Sequence, residues 1–258
     1  MLTLFRLVFA PPRDLILLVV AGWIGIALAD NRAEHSGFNA KALENLAFVL
    51  AAAFLIGGRL FYATEHLSAF VQSPASLISL NTALFDSWGG LAIAGITGFV
   101  FGQRKKLALW PTLDALTPLM ATLAVGLGLS HLASGAAFGK ETDLPWAWHL
   151  WGENRHPTQV YEMIAALLIL GFVLFRKLKL NPGGDFLSFV AMTSGSRLII
   201  EAFRGDSALV LGGLRAAQII AWLVLALSLL GLELLVFPTH IPRPKRSGKV
   251  MHKNERLQ

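Results

Sequence analysis

Two segments concentrate the residues able to do chemistry: Arg155-His156-Pro157-Thr158-Gln159-Val160-Tyr161-Glu162, and Gly195-Ser196-Arg197-Leu198-Ile199-Ile200-Glu201-Ala202-Phe203-Arg204. In the second, Arg197, Glu201 and Arg204 stand at i, i+4 and i+7, a spacing that predicts one shared helix face. Two readings follow. Arg197 and Glu201 could simply neutralise each other inside an apolar helix. Alternatively, two guanidiniums flanking a carboxylate form a fork for a phosphate, which arginine binds bidentately. The first segment reads as a helix start, with Pro157 suited to the first helical position and Gln159 placed where a capping-box partner would stand. It also reads as an anion site, because a helix N-terminus attracts negative charge and here carries Arg155 and His156, a phosphate ligand and a proton-transfer group.

Elsewhere, Arg59 and His131 are ionisable residues within apolar runs, and Gly57-Gly58, Gly89-Gly90, Gly183-Gly184 and Gly212-Gly213 are paired glycines. Such pairs mark close helix packing, and Pro182-Gly183-Gly184 marks a turn. Backbone amides at Gly89 and Gly90 could also meet a ligand. The chain has no cysteine, so thiolate metal sites and a thiol nucleophile of its own are excluded, and any thiol must belong to a substrate. No metal or cofactor is expected.

The elements that must position these residues follow from composition. Of 258 residues, 55% are hydrophobic and 15% charged, with mean hydropathy +0.59; a water-soluble domain keeps its charged fraction nearer about a quarter. An ordinary cytosolic enzyme is excluded. The net charge of +6 does not indicate nucleic acid, because the tail 243–258 carries six Lys/Arg against Glu255 and so holds nearly all of it. A bilayer core is crossed by about 20 apolar residues as helix. Seven stretches qualify: about 14–30, 45–62, 84–102, 114–138, 157–175, 186–203 and 209–237. The expected architecture is an all-α polytopic membrane protein of about seven transmembrane helices: one domain over 1–242, followed by a basic cytoplasmic tail over 243–258.

Alternate joints and the tail hold 14 Lys/Arg against six on the other side. The richer set belongs in the cytoplasm, which puts the N-terminus outside and the C-terminus inside. The start of the chain, with Arg6, Arg13 and an apolar run ending in Ala27-Leu28-Ala29, also looks like a cleavable signal peptide. Its removal would leave an even number of spans and strand the basic tail outside, so the charge bias favours retention. In this topology Arg59, His131, Arg155, His156, Glu162, Arg197, Glu201 and Arg204 all fall in the outer half. Ionisable groups at membrane depth usually face an interior or a water-filled cavity, so His131, His156 and Arg197 are expected to face one chamber open to the outer leaflet. The tryptophans between Trp146 and Trp151 fit an interfacial belt.

The order Glu44-Asn45, Gly57-Gly58-Arg59, Gly89-Gly90, Arg155 to Glu162, then Gly195 to Arg204 resembles the prolipoprotein diacylglyceryl transferase family of bacterial inner membranes, over roughly residues 40 to 205. The resemblance implies a seven-helix, N-out, C-in multi-pass protein of the bacterial inner membrane. It would move the diacylglyceryl group of phosphatidylglycerol, or another anionic phospholipid, onto the lipobox cysteine thiol in the signal-peptide region of a prolipoprotein. By that likeness Arg197 holds the lipid phosphate, Glu201 orients it, and His156 and His131 are the other candidates for catalysis. Arg155, Gln159, Tyr161, Glu162, Arg204, Arg59, Gly89 and Gly90 are the substrate-binding set. Two departures stand out. The family's His-Gly-Gly reads Trp88-Gly89-Gly90 here, and its Gly-Arg-x-Gly-Asn segment reads Leu129-Ser130-His131-Leu132-Ala133, with His131 near the place of the arginine. An imidazole cannot offer a guanidinium fork. The alternative function is therefore a non-catalytic phospholipid-binding or translocating protein on the same scaffold.

Overall fold

Apolar runs of this length satisfy their backbone groups within a bilayer only as helices, and helices dominate the chain. A computed structural model describes residues 13–35, 39–72, 74, 84–176, 180–210 and 213–236. The tail 243–258, Arg6, Lys177, Lys179 and Gly212 lie outside the described residues. The helices are α1 (Arg13–His35), α2 (Ala40–Glu65), α3 (Leu67–Gln72), α4 (Ser87–Arg104), α5 (Leu109–Ser134), α6 (Thr158–Phe175), α7 (Gly184–Ile200) and α8 (Ala216–Gly231). Two short antiparallel hairpins join them: β1 (Trp148–Leu150) with β2 (Glu153–Arg155), and β3 (Leu209–Val210) with β4 (Leu214–Arg215).

Among the described residues six helices are long and apolar enough to cross a bilayer, namely α1, α2, α5, α6, α7 with its last turn, and α8 continued to Leu235 by a wider π turn. The protein is thus an all-α polytopic membrane protein. The remaining stretch expected to span, 84–102, forms α4, an 18-residue helix along α2. Its five glycines, together with Gln103 and Arg104, dilute its apolar character. The last stretch starts later than expected, at Ala216, because Leu209–Val210 and Leu214–Arg215 pair as strands β3 and β4.

Helix ends are fixed by side chains. Asn39 accepts from Ala42 N (3.1 Å) to open α2, and Asp86 accepts from Gly89 N (2.5 Å) to open α4. For α7 the cap is remote: Asp114 of α5 accepts from Gly183 N (2.6 Å) and Phe186 N (2.9 Å). Gly183 has φ +93, and a Cβ there would stand 2.7 Å from Trp110, so the Pro182-Gly183-Gly184 turn does require glycine.

Close approach of small residues holds the bundle, as expected where lipid removes the hydrophobic drive between helices. A Cβ on Gly57 would come within 2.5 Å of Ile93, and one on Gly90 within 2.9 Å of the Phe54 carbonyl oxygen. The two glycine pairs therefore interlock α2 with α4. Likewise Gly25 lies against Leu119 and Gly126 against Ala21, seating α1 along α5. Large apolar side chains such as Val19, Trp23, Leu168 and Leu227 are exposed on the outside, where lipid would meet them.

Candidate active site

The last turn of α5, the first turn of α6 and the last turn of α7 meet at one end of the bundle. Thr158 and Gln159 are buried and tie α6 to the chain leaving α5: Thr158 Oγ1 donates to Ala137 O (2.6 Å), and Gln159 Nε2 donates to Ala136 O (2.9 Å). This differs from the capping-box expectation. Pro157 is the N-cap residue, one position earlier than expected, and Gln159 satisfies a carbonyl 23 residues away in sequence. Residues 138–142 then lie between two strands of chain, with Lys140 N donating to Phe203 O (2.8 Å), Gly205 N to Phe138 O (2.9 Å) and His156 N to Lys140 O (2.9 Å).

That pairing also ends α7. The helix stops at Ile200, Glu201–Phe203 form one tighter turn, and Arg204 is extended (φ −71, ψ 143). The expected single helix face for Arg197, Glu201 and Arg204 thus holds for the first two only. Arg204 leaves the helix because its neighbours' backbone groups are taken by the 138–140 segment, yet its guanidinium bends back to the same carboxylates.

Glu162 is the hub. Its Oε2 accepts from His131 Nδ1 (2.8 Å), and its Oε1 accepts from Arg197 Nη1 (3.0 Å) and Arg204 Nη1 (3.1 Å). Glu201, 1% exposed, lies 3.1 Å from Arg197 Nε and 3.9 Å from Arg204 Nε. Arg204 is further held by Asp206 through two bonds of 2.9 and 2.8 Å. Burial pulls the Arg204 pKa down, but hydrogen bonding and attraction from Asp206, then Glu162 and Glu201, outweigh it and leave the pKa raised, so this guanidinium stays charged at any working pH. Of the three side chains that meet Glu162, Arg197 is the most open, with 37% exposed against 22% for His131 and 11% for Arg204. Its Nε and Nη1 face carboxylates, while Nη2 makes no hydrogen bond to a described residue.

Of the other expected residues, Arg155, His156, Gln159 and Tyr161 adjoin this hub in the chain, whereas Arg59, Gly89 and Gly90 stand apart from it at the join of α2 and α4. His156 Nδ1 is 3.4 Å from the Tyr161 hydroxyl and its ring packs on Phe203; the same hydroxyl accepts from Trp146 Nε1 (2.9 Å). His156 lines a recess of about 70 Å³ with Leu132, Trp148, Arg155 and Gln159. The single chamber expected for His131, His156 and Arg197 is therefore divided: His131 and Arg197 share Glu162, and His156 faces the neighbouring recess. Arg155 is engaged by its own loop, donating to Leu150 O (3.3 Å), Gly139 O (3.4 Å) and Glu141 (3.3 Å), and it covers the Phe138 ring. Arg59 donates to Leu84 O (2.6 Å) at the join of α2 and α4. Gly89 gives its amide to Asp86, and both Gly89 and Gly90 are buried against α2.

Two contributors were not foreseen. Asp206 orients Arg204, a link visible only once the backbone is known to be extended there. Arg215 Nη1 gathers Glu201 O (2.5 Å), Ser207 Oγ (2.6 Å) and Arg204 O (2.7 Å), closing the turn behind the cluster. In sequence it was one more joint charge.

Residues 15–234 match the family described as prolipoprotein diacylglyceryl transferase. The chain belongs to the prolipoprotein diacylglyceryl transferase family. Relatives named phosphatidylglycerol–prolipoprotein diacylglyceryl transferase include a Nostoc sp. protein, 30% identical over 264 residues that cover 91% of this chain and 90% of the relative. Another, from Corynebacterium glutamicum, is 30% identical over 84% of this chain and 77% of the relative. A third, from Trichormus variabilis, is 30% identical over 84% and 83%. The match runs from α1 to α8 and so contains the whole Glu162 cluster, as well as Trp88, which is 66% exposed in the first turn of α4.

Proposed function

We propose that this chain transfers the diacylglyceryl group of phosphatidylglycerol to the lipobox cysteine thiol of a prolipoprotein in the bacterial inner membrane. With α4, packed along α2, counted as a seventh crossing, the N-terminus lies outside and the tail 243–258 in the cytoplasm, so the Glu162 cluster works at the outer leaflet. The observation that carries the proposal is Arg197, gripped by Glu162 and Glu201 on two of its nitrogens, with Nη2 left to meet an anion. Arg197 binds the headgroup phosphate, and Glu201 orients Arg197. Arg204 sits behind it and adds positive potential.

A carboxylate can only accept, so His131 presents its Nδ1 hydrogen to Glu162, and Nε2 of the ring carries the lone pair. The thiol gives its proton to Nε2 as the sulfur bonds the glyceryl carbon that bears the phosphate. The carbon–oxygen bond to phosphate breaks and its electron pair leaves with glycerol phosphate, which then takes up the proton. The product is a thioether. His156, beside Tyr161 and the adjoining recess, is the second candidate for proton transfer.

Purified protein, phosphatidylglycerol and a lipobox peptide give the direct test, with thioether formation read by mass spectrometry and lost in Arg197→Ala. A preparation that binds phosphatidylglycerol but forms no thioether would instead support the lipid-binding or translocating alternative.

A further inference from the structure

At the end of the bundle opposite the Glu162 cluster, the N-terminal half of α2, the C-terminal half of α4 and the first turns of α5 enclose a groove of about 400 Å³. Its lining is almost wholly apolar, including Leu46, Leu50, Phe99 and Leu113. Its floor is made by Gly95, Gly98 and Gly102 of α4, spaced i, i+3, i+7 and so on one face. Further along the same α2–α4 seam the glycines are filled by the neighbouring helix, as Gly57 is by Ile93 and Gly90 by Phe54, although Gly171 of α6 and Gly195 of α7 also stand open. Here Gly98 meets Leu50, but a Cβ on Gly95 or Gly102 would find no atom within 4 Å. No described helix fills the space.

The end of α4 gives the groove a polar mouth. Arg104, Lys105 and Lys106 are exposed in succession, and the chain then folds back, with Leu107 N donating to Gly102 O (2.9 Å). Lys106 adopts φ +53, a conformation disfavoured for a side-chain-bearing residue. That closure returns Leu107 to the groove lining, which Gln103 also joins, and the three cations are the residues between these two in the chain, with Lys105 Nζ 6.0 Å from the Phe101 ring. Cations at a helix C-terminus complement its dipole on their own. They do not by themselves require an apolar groove beside them, and the two features together match an amphiphile with an anionic head and a hydrocarbon chain.

We propose that this groove holds an acyl chain of an anionic glycerophospholipid, with the headgroup phosphate against Lys105 and Lys106. The site is separate from the proposed transfer site and lies in the other leaflet, so the lipid is a bound companion of the fold and not the reacting molecule. It would complete the α2–α4–α5 packing, the part of the bundle where protein atoms alone leave a gap.

The full chain, reconstituted in phosphatidylcholine vesicles, is tested with trace phosphatidylglycerol or phosphatidylcholine bearing a photoactivatable group on the acyl chain, and labelled peptides are mapped by mass spectrometry. The expected result is several-fold stronger labelling of residues 95–116 by the phosphatidylglycerol probe. Gly95→Leu, which places a side chain in the groove without striking a protein atom at its Cβ, should reduce that labelling several-fold. Lys105→Ser with Lys106→Ser should erase the preference between the probes. Gly102→Leu serves in the same way if Gly95→Leu does not fold. Equal labelling by both probes, labelling indifferent to the plugged groove, or crosslinks from one chain to another through this face would each overturn the proposal; the last would assign the groove to a second copy.

Discussion

The two ends of the bundle each gather cations from different helices around a carboxylate, and they use it differently. At the end opposite the Glu162 cluster, Asp185 in the first turn of α7 is gripped by Arg32 of α1 and by Arg176 just beyond α6. Arg32 also donates to the Val173 carbonyl (3.0 Å), and Asp114 binds two backbone amides of the α7 start. Arg32 and Asp114 are thus tied to main chain, which no ligand can replace without opening a helix. At the other end Glu162 is shared by His131, Arg197 and Arg204, and Arg197 bonds only carboxylate oxygens. An incoming phosphate offers the same kind of oxygen, so it can join or displace one partner without cost to the backbone. The comparison separates a clamp from a site, although both are charge clusters at membrane depth.

The strongest way to break this distinction is to remove groups that should matter for turnover alone. If His131 Nε2 takes the thiol proton, His131→Gln should lower thioether formation by about 10²–10⁴-fold, the usual range for a positioned base, while the melting temperature in detergent moves by only a few degrees. His156→Gln run beside it decides which histidine carries the proton: a larger loss there than in His131→Gln would reassign the role. Arg197→Ala should cost about 10²–10³-fold, as loss of one preorganised donor to a developing anion does. The opposite outcome is expected for Asp185→Ala. It leaves Arg32 and Arg176 without their carboxylate and should destabilise by about 3 kcal/mol, read as a lowered unfolding midpoint, with activity per folded molecule retained. A variant set in which Asp185→Ala silences turnover without affecting stability, or Arg197→Ala unfolds the chain, would merge the two ends into one class.

A smaller effect sharpens the packing side of the contrast. A Cβ on Gly90 would press on the Phe54 backbone at 2.9 Å, so Gly90→Ala should destabilise by about 1–3 kcal/mol, the range for overpacking. Thioether formation by the folded fraction should persist. Lost turnover at full stability would instead return Gly89-Gly90 to the ligand.

Much of the scaffold was legible in the amino-acid order because a bilayer permits so few solutions. Apolar runs had to be helices, and the paired glycines at 57–58 and 89–90 pointed to close helix contacts, with a ligand left open at Gly89 and Gly90. Arg197 with Glu201 was legible too, since i, i+4 spacing survives wherever the helix does. What escaped was whatever depends on chain leaving a helix. The turn at Glu201–Phe203 and the extended Arg204 arise from pairing with residues 138–140, some sixty positions earlier, and no local spacing encodes that. Asp206 and Arg215 were missed for the same reason. The partition of the two histidines was hidden because Glu162, not either histidine, chooses the partner: standing one residue after Tyr161, it points to His131 while the tyrosine hydroxyl goes to His156.

The mildest test concerns how firmly Arg204 must be held. Asp206 is partly exposed, with 26% of its side chain accessible, and grips Arg204 from the solvent side, whereas Glu162 and Glu201 face the same guanidinium from within. Water screens the outer pair, so Asp206→Asn should cost less than about 1 kcal/mol of stability. The amide still accepts one hydrogen bond, but it no longer balances the cation. Positive potential at the Glu162 cluster should therefore rise slightly, and apparent affinity for phosphatidylglycerol should improve by a small factor at low ionic strength and converge with the parent as salt is raised. A weakened affinity at every ionic strength would mean that Asp206 positions Arg204 geometrically, and that the cluster depends on the loop beyond α7 as much as on the helices.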